Sequence, residues 1–280
     1  ANLEAWGIDP SSIHPQNIRL FSNGPRMVPE ANSATRYDDL YENAIYVEGA
    51  GDGSFDPNDF ILFYAEGIMY WTYKGGQSFK HEYNLYSDKN YCFLTFDNGP
   101  GLRITDLNSE TAAATGTVDR FLDFSAYELN QYNLIKSGKN WLGDAFESTS
   151  LSRNYSFSMP GIITDSLATV IASLAGRSST SNGFTLASGS SSIYASIAGT
   201  SGYTSEYAKM STATLQFNPS SVTLPVTLTY NQNGNVEAAG WLDYLEVLAW
   251  RSLIFTGNQM AFRNPVAAAP GNIVDYNIAN

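Results

Sequence analysis

The chain holds one thiol, Cys92, and two imidazoles, His14 and His81. A thiolate beside an imidazole is the nucleophile of cysteine-dependent acyl transfer, so this pairing is weighed first. Cys92 stands in Tyr91-Cys-Phe-Leu-Thr-Phe96, an apolar run that reads as a strand, where a thiol acts as a small buried hydrophobe. No basic neighbour or helix start adjoins it to favour a thiolate. His14 precedes Pro15 in a turn-like stretch with no partner in the sequence. The reading is a structural Cys92 and no catalytic residue.

The sharpest local pattern is Asp52-Gly-Ser-Phe-Asp56-Pro-Asn-Asp59. It matches the second half of a calcium loop, with carboxylates spaced around a glycine turn. The first half fails, because Glu48 takes the opening position and Ala50 cannot ligate. Asp52, Asp56 and Asp59 are therefore weak calcium candidates. The preferred reading is a Gly-Asp turn closing a hairpin between Ala44–Val47 and Phe60–Tyr64. No cofactor is implied otherwise. The adjacent acids Asp38-Asp39 invite comparison with glycosidase carboxylates, but acids are common in these loops and chance pairing is easy. Tyr194, Tyr203, Tyr207, Trp241 and Trp250 have the chemistry to stack on sugar rings, although aromatics in a sandwich are more often core. Phosphate-binding loops, dinucleotide fingerprints and His-rich metal motifs are absent from the sequence.

The elements that position these residues are strands. Hydrophobic residues make up 43 % of 280, which is enough for packed cores, and no run of about 18 apolar residues is available to span a bilayer as a helix. Lys and Arg total 15 against 27 Asp and Glu, so a nucleic-acid partner is not expected and an anionic membrane surface would repel the chain. Nearly all of the excess lies in the first 150 residues, which hold 10 basic and 21 acidic side chains. Such a break suggests two units. The single cysteine excludes an intrachain disulfide. The N-terminus lacks a basic and apolar leader, which implies either a removed signal or a cut fragment, and the structured-looking start favours a cut.

In the front half, Ile18–Phe21, Ala44–Val47, Phe60–Tyr64, Tyr91–Phe96 and Arg103–Thr105 read as strands. Leu3–Trp6 reads as a helix end closed by Gly7. Asn108–Thr117 reads as a linker or long loop, and a strand is expected near Phe121–Tyr127. In the back half, Leu224, Val226, Leu228 and Tyr230 alternate with Thr223, Pro225, Thr227 and Thr229, which places the four apolar side chains on one face. Val170–Leu174, Ile193–Ile197 and Ala213–Phe217 repeat the pattern. Trp241–Trp250 alternates little, as expected for a strand covered on both faces. The expected fold is all-β with two β-rich domains: an acidic domain over 1–117, a connecting segment of mixed structure over 118–150, and an antiparallel, jelly-roll-like β-sandwich over 151–280.

A longer series then emerges. Ile18-Arg-Leu-Phe-Ser-Asn-Gly24, Val28-Pro-Glu30, Arg36-Tyr-Asp-Asp-Leu40, Glu42-Asn-Ala-Ile45, Asp52-Gly-Ser-Phe-Asp56 and Asp59-Phe-Ile-Leu-Phe-Tyr64 follow in order. His81, Asn84-Leu-Tyr-Ser-Asp88, Asn90-Tyr-Cys-Phe-Leu94, Ser137-Gly138, Trp141 and Gly143 continue it. Trp241-Leu-Asp-Tyr-Leu-Glu246, Arg251 and Gln259-Met-Ala-Phe-Arg263 complete it. The series resembles the N-terminal region of the PorU family, the sortases of the type IX secretion system of Bacteroidetes. It departs from that family at Pro25-Arg26, where a Gly-rich stretch is expected, and at Cys92, where an aromatic is expected. The resemblance implies N-terminal β domains followed by a gingipain-like cysteine peptidase domain that holds the catalytic Cys and His, so no catalytic residue carries over to this chain. It further implies a cell-surface protein, on the outer face of the outer membrane, that removes the C-terminal signal of secreted cargo and joins the cargo to lipopolysaccharide. Implied partners are the downstream peptidase domain, an outer-membrane β-barrel shuttle within an attachment complex, and cargo signal domains. The competing expectation is a free-standing carbohydrate-binding or adhesin module.

Overall fold

The computed structural model describes residues 2–96, 99–136, 140–147, 149–202 and 206–280. Ser137, Gly138 and Tyr203 lie outside the described residues. Among the described residues no helix is long and apolar enough to cross a membrane. The chain divides into two compact units, one of residues 1–72 and 81–110, the other of residues 73–80 and 111–280.

The first unit opens on α1 (Asn2–Ala5), which Gly7 ends in a left-handed conformation at φ 77°. Its strands are short: β1 (Arg19–Phe21), β2 (Glu42–Asn43), β3 (Tyr46–Val47), β4 (Ile61–Leu62) and β7 (Phe93–Thr95). Between them runs a hairpin of β5 (Met69–Gly75) and β6 (Ser78–Tyr83), whose tip, 73–80, counts with the second unit. β2, β1 and β7 form one sheet, and β3 pairs with β4. A small core of Leu3, Ile13, Ile18, Leu20, Ile45, Val47 and Phe55 lies beneath. Side chains binding backbone make up for the short ladders. Arg103 donates to the carbonyls of Pro15, Gln16 and Ile18 at 2.8, 2.8 and 3.0 Å. This fixes Arg103 in place of the expected strand over 103–105, which reduces to one bridge with Ile45.

The second unit is a two-sheet sandwich. Its strands are β8 (Gly116–Val118), β9 (Arg120–Glu128), β10 (Ala145–Phe146), β11 (Ser152–Ser158), β12 (Ala168–Arg177), β13 (Asn182–Ser188), β14 (Ser191–Ile197), β15 (Lys209–Phe217), β16 (Thr223–Asn231), β17 (Ala239–Ser252) and β18 (Val274–Tyr276). One sheet has the order β9-β17-β12-β15, with β10 also on β17; the other has the order β11-β16-β13-β14. Counted along the sandwich, these are strands 1-8-3-6 and 2-7-4-5, the two Greek keys of a jelly roll. The segment expected to connect the units, 118–150, therefore supplies β9 and β10 to the sandwich, and the second unit begins at Thr111. The alternation of β9 is blurred because most of its side chains are half-buried on both faces.

The alternating residues form the core between the sheets. Leu174, Phe184, Leu186, Leu228 and Leu245 are wholly buried. Burying each such side chain is worth about 1.5–3 kcal/mol. Ile193, expected on the buried face of β14, is 40 % exposed, because that edge strand outruns the core at its start. β17 alternates poorly for two reasons. Both its faces are covered, and its register slips opposite Ser173 and Leu174, so that Asp243 pairs with neither and Leu242 and Leu245 both point inward. Gly240 is required where it stands, since a Cβ there would lie 2.6 Å from Phe184 and 2.8 Å from Tyr230. Next to this point Tyr230 donates its hydroxyl to the buried amide of Asn182 at 2.9 Å. β18 closes the unit by pairing in parallel with β8.

Candidate functional site

Cys92 lies one residue before β7, not within a strand, because the pairing of β1 with β7 stops at Phe21 opposite Phe93. Beyond it, Ser22 turns away to other partners: its N–H donates to the carbonyl of Tyr41 and its hydroxyl to the carbonyl of Tyr91. The thiol is half-buried at a cleft of about 270 Å3 lined by Leu20, Ser22, Asn43, Glu66 and Asn90, with Tyr37, Tyr41 and Tyr64 around it. His81 is not among the lining residues; it is buried on β6, its ring 5.4 Å from that of Trp71.

The aspartate pattern forms the connection of a hairpin. Tyr46 pairs with Leu62 and Val47 with Ile61, and Glu48 N–H donates to the carbonyl of Phe60. Two of the three carboxylates are engaged locally. Asp52 accepts from Ser54 N–H at 2.9 Å and Asp59 from Asp56 N–H at 2.8 Å. The Asp59 carboxylate lies directly against Gly49, at φ 83°, where any Cβ would overlap it. Among the described residues no group of three or more His, Cys, Asp or Glu side chains is placed to hold a metal ion.

Asp38 and Asp39 lie on an exposed loop, where the Asp39 carboxylate caps the N–H of Leu40. Of the back-unit aromatics, Trp241 is core, Trp250 donates its indole N–H to Gln77 at 3.0 Å, and Tyr207 holds Arg177. Tyr194 alone of the described four presents a largely open ring, at 45 % exposure.

A cleft of about 470 Å3 in the second unit opens between the edge strands β9 and β11. Asp144 lies in it and accepts hydroxyl protons from Tyr127 and Tyr155, each at 2.9 Å. Arg153 stands 3.6 Å from the same carboxylate and donates to the carbonyl of Ala145. Burial, and then the Asp144 carboxylate, push the Tyr127 hydroxyl up to about 12 and the Tyr155 hydroxyl further in the same direction. These tyrosines stay protonated and donate. Asp144 thus holds two donors and a cation and is no free base. The cluster ties β9 and β11 together across the open side of the sandwich. Sequence reading missed it because its members come from three segments with no shared motif.

Several residues that carry the family likeness support the fold. Arg251 pairs with Asp123 at 2.6 Å with both largely buried, and Arg263 stacks 4.0 Å above Phe124. Arg36 donates to the carbonyls of Pro29, Glu30 and Ala31, and a Cβ on Gly143 would lie 2.8 Å from the carbonyl of Leu129.

No family model matches the chain, and no curated protein does. Among solved structures, dimeric latent PorU from Porphyromonas gingivalis matches over 91 % of this chain with a TM-score of 0.70 at 21 % identity. The fold is PorU-like. The chain spans 23 % of the PorU chain it matches. The Cry4Aa toxin of Bacillus thuringiensis also aligns, over 89 % of this chain and 54 % of its own at 9 % identity, but its TM-score of 0.21 carries no weight. The likeness to PorU takes in both units, whereas sequence identity at that level does not transfer chemistry.

Proposed function

We propose that this chain is the non-catalytic N-terminal β region of a PorU-like type IX secretion sortase. The carrying observation is the likeness of fold over 91 % of this chain to under a quarter of PorU. The full-length protein would be a gingipain-like cysteine peptidase that removes the C-terminal signal of secreted cargo and attaches the cargo to lipopolysaccharide at the cell surface. In this reading the two units support the peptidase domain and dock partners: the β-barrel shuttle with its attachment complex, and the cargo signal domain.

The chemistry of the chain agrees with a supporting role. Cysteine-peptidase catalysis needs a thiolate, a base within hydrogen-bond reach and donors aimed at the oxyanion. The one thiol lines a cleft of tyrosines, asparagines and a glutamate, and no imidazole lines that cleft with it. The test is to incubate the purified chain, and a longer chain that includes a peptidase domain, with cargo bearing its signal domain. Cleavage by the longer chain only supports the proposal. Cleavage by this chain alone, abolished in Cys92→Ser, refutes it.

A further inference from the structure

The cleft of the first unit has features that its thiol does not explain. Tyr37, Tyr41 and Tyr64 stand around it with exposures of 62, 57 and 79 %. Folding gains little from aromatic rings left in water, so three together around a concavity mark a binding surface. Two of the rings, those of Tyr37 and Tyr41, are also held in place. Asn23 accepts from Tyr41 N–H at 2.8 Å and donates to the carbonyl of Asp39 at 3.0 Å. Ser22 N–H and the Asn43 amide both donate to the carbonyl of Tyr41. Arg36 clamps the turn that leads into Tyr37, and the rings of Tyr37 and Tyr41 meet edge to face at 4.5 Å. A platform ordered in this way loses little freedom when it binds.

The polar lining defines the ligand. The amide nitrogens of Asn43 and Asn90 are spent on backbone carbonyls of Ser22, Tyr41 and Glu66. Among these lining side chains the two amide oxygens and the Glu66 carboxylate are left as acceptors, beside the tyrosines. No lysine or arginine lines it, and the unit carries 5 basic against 16 acidic residues, so an anion finds nothing to pair with. Arg26 stands 3.9 Å from Glu66, which offsets part of that charge toward a cation while leaving the carboxylate oxygens able to accept hydroxyls. A proline-rich peptide brings carbonyl acceptors where donors are wanted. A neutral sugar has both required parts: a flat C–H face that packs on tyrosine, and ring hydroxyls that donate to amide and carboxylate oxygens.

We propose that this cleft binds an uncharged hexopyranose oligosaccharide, with Tyr64 and Tyr37 as stacking platforms. The site is separate from the sortase reading and stands or falls without it. Cys92, the only cysteine, lines the same cleft and reports occupancy. The experiment measures the rate of Cys92 modification by a mild thiol reagent in the folded chain. It is repeated with a panel of neutral gluco-, manno- and galacto-hexaoses, an anionic oligosaccharide, and proline-rich and lysine-rich peptides, each at about 10 mM, where even weak sites fill. At least one neutral member is expected to slow modification several-fold. Tyr64→Ala and Tyr37→Ala, both at exposed positions that leave the core intact, are expected to weaken that protection at least tenfold in sugar concentration. Titration calorimetry with the protecting sugar gives the same ranking without the thiol. Three results would overturn the proposal: no protection by any neutral member, protection only by an anionic oligosaccharide or a proline-rich or lysine-rich peptide, or protection indifferent to both tyrosine substitutions.

Discussion

Asp144 allows the role of the larger cleft to be measured. Replacing it with Ala removes the acceptor of two tyrosine hydroxyls, each at 2.9 Å, and the carboxylate near Arg153. Hydrogen bonds to a charged group contribute about 1.5–3 kcal/mol each, so the gross loss is about 3–6 kcal/mol. Part of this is offset, because the half-buried carboxylate no longer has to be stripped of water. The net loss for Asp144→Ala is expected at about 2–3 kcal/mol, with Tyr127→Phe and Tyr155→Phe each near 1 kcal/mol. Asp144→Asn, which keeps an acceptor, should cost less than Ala. The assay is equilibrium urea unfolding followed by tryptophan fluorescence. A parallel ultraviolet titration of phenolate reads the second consequence: both tyrosines should ionise at lower pH in Asp144→Ala, since one of the two causes holding their protons is gone. Burial, the larger cause, remains. An unfolding free energy within about 0.5 kcal/mol of the parent, with unchanged phenolate titration, would refute the view that Asp144 fastens the open side of the sandwich.

Two further outcomes are expected. Burial holds the hydroxyls of Tyr127 and Tyr244 at about 12, above the ordinary 10.0. A proton held more tightly in the folded state stabilises the fold fully below pH 10 and loses that contribution as pH climbs toward 12. The urea midpoint should therefore fall between pH 10 and 12, and a rise over that range would contradict the assignment. Calcium should bind the Asp52, Asp56 and Asp59 turn no more tightly than about millimolar, because two of its carboxylates already accept backbone N–H groups. Micromolar binding by calorimetry, lost in Asp56→Ala, would overturn that.

The sandwich was legible in the sequence because period-two alternation is a direct image of a half-buried strand. Leu224–Tyr230 and Val170–Leu174 show it plainly, and both lie where the pattern places them. β17 was found by its apolar run, but the bulge at Asp243 that spoils its alternation has no local signal. The first unit was harder to read. β2, β3 and β4 are two residues each, and partners far away in sequence fix their surroundings, as Arg103 does for Pro15 and Gln16. The aspartate turn was read correctly as a hairpin connection. The tyrosine cleft was not anticipated. Exposure is set by tertiary packing, and Tyr64 looks no different in sequence from the buried Tyr230.

The pairing of β8 with β18 has a consequence for how the protein is made. It joins Gly116 to Val274 and Val118 to Tyr276, and Thr115 N–H donates to the carbonyl of Ile273 at 2.6 Å. Closing a loop of that length carries an entropic cost that grows only slowly with size, but the contact cannot form until both ends exist. Every strand pair of the first unit, by contrast, lies within the first 110 residues. During synthesis from the N-terminus, the first unit can complete its ladders while most of the sandwich is still unmade. The jelly roll, whose β9 must wait for β17, is then the slow, high-contact-order step, and β18 is the last strand to arrive. A chain stalled or cut before Val274 would leave β8 as an open strand edge, the state from which intermolecular strand pairing starts.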